Sequence, residues 1–141
     1  MPAINSVSKP FNFPTIIQNG EIPFAVSDAT TGGASKITVD GGLLFLGSMD
    51  TAPKTISGIT ASPGNHAWLQ VTSDNGYTIS TTTPPVLISG TTYPTAIGTT
   101  LPYVLNIPIG SVASGVVTQL VKSDLRLGFA VTSAGVVLLP V

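Results

Sequence analysis

The feature that most constrains this chain is the spacing of its helix breakers. Fifteen Gly and twelve Pro are scattered through 141 residues. They leave no window long enough for a comfortable helix, because each one interrupts or loosens the helical backbone. What survives between them is strand-sized. Leu125, Leu127, Phe129 and Val131 alternate with Arg126, Gly128, Ala130 and Thr132, the period-two pattern of a strand with one buried face. Tyr103, Leu105, Ile107 and Ile109 repeat the pattern, as do Ala67, Leu69 and Val71, and Ile37 and Val39 set between Lys36, Thr38 and Asp40.

These runs predict strands over 22–27, 35–40, 43–47, 55–60, 66–73, 76–81, 86–89, 101–109, 116–122, 125–132 and 135–139. Asp40-Gly41-Gly42 and Asp74-Asn75-Gly76 offer the positive-φ residues that tight hairpins need. Ser57-Gly58, Ser89-Gly90, Ser114-Gly115 and Ser133-Ala134-Gly135 mark further breaks, and Asp28 opens a polar turn before Thr30-Thr31-Gly32-Gly33. Many short strands at such spacing imply an all-β fold: an antiparallel β-sandwich or a small barrel, jelly-roll-like, as a single β domain over 21–141. Residues 1–20 differ. Lys9-Pro10-Phe11-Asn12-Phe13-Pro14 sets aromatics between prolines, which resist both helix and central strand. An extended N-terminal arm is expected there, either lying across a neighbour with Phe11 and Phe13 buried in it, or folded back on its own domain.

Charge excludes whole classes of partner. Only 8% of residues are ionisable Asp, Glu, Lys or Arg, against about 25% in an average domain. Five cations (Lys9, Lys36, Lys54, Lys122, Arg126) spread along the chain make no electrostatic footprint for nucleic acid or an anionic membrane. No apolar run approaches the ~20 residues of a membrane span, and Met1 to Asn5 lacks the basic start of a signal peptide. The absence of cysteine removes disulfides, thiolate metal sites and a cysteine nucleophile together. A surface so poor in charge is weakly protected against association, which suggests that protein covers much of it in the working state. The alternative is an ordinary soluble β domain coated with hydroxyls.

The residues that carry chemistry are sparse. His66 is the single histidine, at the entry to a predicted strand, and a general base there would need a nucleophile and an orienting carboxylate close in space. Glu21, Asp28, Asp40, Asp50, Asp74 and Asp124 are isolated in sequence. Asp40 and Asp74 have turn roles, and an Asx-turn accounts for Asp124. No calcium-loop spacing or phosphate-cradling glycine motif occurs. The expectation is therefore no enzyme, with no catalytic, cofactor or metal residues. Trp68, Tyr77, Tyr93 and Tyr103 are the candidates for a sugar-binding platform, with Trp68 and Tyr77 flanking the Asp74-Asn75-Gly76 turn. Aromatics of this kind also pack cores and interfaces, so Trp68 and Tyr77 join Phe11 and Phe13 as candidate interface residues.

The run from Glu21 to Gly33 leads into Lys36-Ile37-Thr38-Val39-Asp40-Gly41-Gly42. His66 to Thr72, Tyr103 to Val112 and Val117 to Leu125 follow in order. Over residues 21–129 this order resembles, in pattern and composition, a group of small β proteins and modules of tailed bacteriophages, found among capsid decoration (cement) proteins and tail-fibre or baseplate parts. No functional residue transfers from it. The resemblance implies a structural virion protein, a homotrimer assembled in the host cytoplasm, with the major capsid protein as partner. The short chain lacks a repetitive shaft or heptad stalk, which favours a cement protein over a tail-fibre or baseplate component in host adhesion; a carbohydrate-binding β module is the further alternative.

Overall fold

The computed structural model describes residues 22–46, 53–76, 78–132 and 135–140. Eleven strands lie within them: β1 (Val26–Asp28), β2 (Lys36–Val39), β3 (Gly42–Leu46), β4 (Lys54–Ile56), β5 (Ile59–Pro63), β6 (His66–Ser73), β7 (Val86–Gly90), β8 (Tyr103–Ala113), β9 (Val116–Gln119), β10 (Leu125–Thr132) and β11 (Gly135–Pro140). None of the described residues is helical, as the breakers require. The strands form a small sheet β1-β2-β5, a main sheet β7-β6-β8-β9 and a third sheet β11-β10-β3-β4.

The all-β, sandwich-like expectation holds, and the barrel alternative does not, because the sheets stay open. Pairing is antiparallel except between β10 and β3, which run parallel. The small sheet lies over the main one, β1 against β8 and β9, β2 against β6 and β5 against β7. Alternation explains the core between them. Ala67, Leu69 and Val71 of β6 and Leu105, Ile107 and Ile109 of β8 turn inward to meet Ile37 and Val39. Leu44, Ile56 and Leu127 of the third sheet extend the same cluster.

Two sheets share one bent hairpin. Val39 faces Ile59 in the small sheet, and Gly42 faces Ile56 in the third, so from Val39 to Leu44 the two limbs keep one register while changing sheet. The bend falls where Gly41 and Gly58 come close diagonally across the pair. A Cβ on Gly41 would sit 2.5 Å from the Ile56 carbonyl oxygen, and one on Gly58 2.5 Å from that of Val39. Only glycine allows the two backbones this close. Asp40-Gly41-Gly42 is therefore not the hairpin turn expected from sequence but a sheet-to-sheet corner, and the strand expected over 55–60 is divided into β4 and β5. The tight turns lie elsewhere. Gly32-Gly33 (φ +64° and +86°) closes β1 on β2, and Ser114-Gly115 (φ +50° and +78°) closes β8 on β9, both with the two positive φ values of a type I′ turn.

Among the described residues of 76–81 the expected strand does not form. Side chains hold that segment in place of a ladder: Ser80 Oγ donates to Asp74 Oδ2 at 2.7 Å and accepts from the Thr82 and Thr83 amides. Ile79, 8% exposed, pins the loop into the core. β6, which carries Trp68 and leads into the Asp74-Asn75-Gly76 turn, has β7 and β8 as its two paired neighbours, and Tyr77 lies outside the described residues. The arm expected at 1–20 lies outside the described residues.

Candidate interaction surface

The main sheet ends in a short, uncharged strand. After the Ser114-Gly115 turn the chain reads Val116-Val117-Thr118-Gln119-Leu120, and β8 occupies one side of it. In a two-residue hairpin the residues flanking the turn exchange their amides and carbonyls. Val116 and Thr118 thus face β8, while Val117 and Gln119 turn their backbone groups to the free edge. Val116 is 65% exposed, Val117 41% and Leu120 53%. Such an edge, apolar and without lysine, proline or a bulge, lacks the usual devices against strand pairing.

Gln119 holds this strand in place. Its Oε1 accepts the Val26 amide at 2.8 Å, and its Nε2 donates to the Phe24 carbonyl at 2.8 Å and to that of Val121. One carboxamide thereby substitutes for a peptide group along the open side of β1. Phe24 needs the support, since it has φ +57° and 0% exposure, a conformation costly for a side chain with a Cβ. Sequence reasoning did not single out Gln119. Its bonds reach 93 and 95 residues away, and nothing local signals them.

The face of the main sheet turned away from the small sheet is partly roofed by its own chain. Beyond β7, residues 91–94 pass over β6 to reach the far side of β8, where the Asn106 amide donates to Ala96 at 2.7 Å and Asn106 Nδ2 to Thr95 at 2.9 Å. Tyr93 stands edge-on to His66 (ring centroids 4.7 Å apart) and to Trp68 (6.4 Å). Burial pushes the Tyr93 phenol up, with the Ser111 side chain opposing. Trp68 is left 8% exposed, its indole used within its own fold. His66 Nδ1 meets Asn65 Oδ1 at 2.9 Å.

An open cleft of about 230 Å³ lies at the sheet-to-sheet corner, lined by Ile22, Pro23, Asp40, Gly41, Gly42, Leu43 and Asp124. The Asx-turn expected for Asp124 is replaced by a long-range bond, in which its Oδ1 accepts the Leu43 amide at 2.7 Å. Its Oδ2 is buried without a hydrogen-bond partner among the described residues. Burial raises the Asp124 carboxyl above the ordinary range, and the Leu43 bond partly offsets this. Asp28 behaves as its turn requires. It accepts the Thr30 amide at 2.8 Å, and the Thr30 bonds hold its carboxyl low.

Among the described residues no group of three His, Asp or Glu side chains gathers as a metal site. Of the four residues expected at an interface, Trp68 is placed as above; Phe11, Phe13 and Tyr77 lie outside the described residues. Comparison with protein families, with curated proteins and with solved structures finds no match to this chain.

Proposed function

We propose that this protein is a non-enzymatic structural subunit of a tailed-bacteriophage virion, a decoration (cement) protein that bridges the major capsid lattice and assembles as a homotrimer. The observation that supports its working through protein contact is β9, an uncharged strand with Val116 and Val117 in solvent and exposed Leu120 just beyond it. A chain with 8% charged residues has little else to keep such an edge from pairing. The virion setting rests on the resemblance of residues 21–129 to phage decoration and tail modules. A sugar-binding platform finds less support, because Trp68 and Tyr103 are 8% and 6% exposed and offer no open ring face.

The test combines position and binding. A reading frame beside capsid genes, and sedimentation of the purified chain with shells assembled from the neighbouring capsid protein, is the expected result. A frame among tail genes with no binding to shells selects the tail-fibre or baseplate alternative. A frame outside any virion cluster rejects both.

A further inference from the structure

Among the described residues no strand pairs with the outer side of β7 or of β9 in the main sheet, and exposed apolar side chains lie at both edges. Among the described residues the exposed large hydrophobics are Ile22, Val86, Leu101, Val116, Val117 and Leu120. Val86 opens β7 at one edge, 46% exposed, while Val116 and Val117 lie in β9 at the other, with Leu120 just beyond. Neither Val86–Gly90 nor Val116–Leu120 contains an ionised side chain. A free edge already specifies its occupant as a strand, since only an extended backbone matches its spacing of donors and acceptors. With no charge on either edge, nothing opposes the approach of one to the other.

Direction completes the match. β7 against β6, β6 against β8 and β8 against β9 are all antiparallel, so β9 runs opposite to β7. When one copy is rotated about an axis along the strands, its β7 meets the β9 of the first copy antiparallel. We infer that β9 of each copy pairs with β7 of the next, so that the main sheets join edge to edge in a closed ring, the occupant of the β9 edge being a second copy of this chain. This deepens the structural-subunit reading and rests on it. The contact is head-to-tail, and such contacts close into rings when the rotation permits. Closure removes both free edges from every subunit, which is how a β protein abolishes them altogether.

Light scattering on the purified full chain tests this, with the Val86→Lys and Val117→Lys variants beside it. Both positions are exposed, so lysine there blocks an edge without entering the core, and an unchanged circular dichroism spectrum verifies the fold. The wild type is expected at three chain masses and each variant at one. An equimolar mixture of the two variants is expected to form one-to-one dimers, because the intact β9 of one can take the intact β7 of the other. If Val86→Lys keeps the wild-type mass, β7 takes no part in the contact and the inference falls. A monomeric wild type that still sediments with capsid shells would also sink it, while leaving the decoration reading intact.

Discussion

β6 and β9 belong to the same sheet and are built from similar residues, yet they end in opposite surroundings. His66–Ser73 carries Ala67, Leu69 and Val71 on one face and Trp68 on the other, and six of its eight residues are buried. Val116–Gln119 is as apolar and has no buried residue. The difference is position. β6 lies between β7 and β8, under the small sheet on one face and Tyr93 on the other, whereas β9 has β8 on one side and solvent on the next. Apolar side chains thus state which segments become strands, while strand order decides which of them are core and which are left for a partner.

The comparison can be broken first at β6. Leu69→Ala, at 0% exposure, should lower unfolding free energy by about 2–5 kcal/mol, the transfer loss plus the cavity, as read by denaturant titration. A loss below about 1 kcal/mol would mean that β6 is not the centre of the core. Gln119→Leu comes next. It strands the Val26 amide and the Phe24 carbonyl, so a loss of about 1–3 kcal/mol is expected; a neutral result would remove Gln119 as the tie between β9 and the small sheet.

Tyr93→Ala sharpens the contrast from the other face. Trp68, the single tryptophan, should move to longer emission wavelength and become open to iodide quenching, with a stability loss of about 1 kcal/mol from the lost ring pair. Unchanged emission would show that something other than Tyr93 covers it.

The pH dependence tests the corner beside both strands. The folded state raises the Asp124 carboxyl, so it binds that proton more tightly than the unfolded chain does. This contribution favours the fold at acid pH and declines as pH rises from the ordinary carboxylate value into the raised range. Asp124→Asn should flatten that decline, since a carboxamide oxygen can still accept the Leu43 amide. A pH profile identical to wild type would exclude Asp124 as its source. Smallest is Val116→Thr, which in the monomeric Val117→Lys background should change stability by no more than about 0.5 kcal/mol. A larger loss there would mean that β9 is packed within its own chain.

The alternation that marked β2, β6 and β8 translated into structure, its apolar set turning to the core, because a strand with one face on the core writes that face into every second residue. Turn chemistry was legible only where the chain closes on its immediate neighbour, as at Ser114-Gly115. Asp40-Gly41-Gly42 looked the same in sequence, yet Gly41 answers to backbone on the opposite limb of a bent hairpin and Gly42 to the ring of Phe24. The segment at 76–81 had a strand's composition, but Ser80 and Asp74 supplied hydrogen bonds that replaced a ladder. The candidate surface was less visible still. Trp68 was singled out for its ring and is covered by Tyr93, while Val116 and Val117 drew no notice because exposed valines read as ordinary strand.

The sequence by itself determined that this chain forms strands and no helix, and which side of most strands is apolar, because breakers and period-two alternation act over a few residues. Tertiary structure alone decided the parallel pairing of β3 with β10, the corner at Gly41 and Gly58, the Gln119 bridge and the bare edge of β9. Each depends on backbone groups many residues apart finding one another, and a peptide donor or acceptor is the same in every residue that has one. Its partner is fixed by packing in space, with no local trace in the chain.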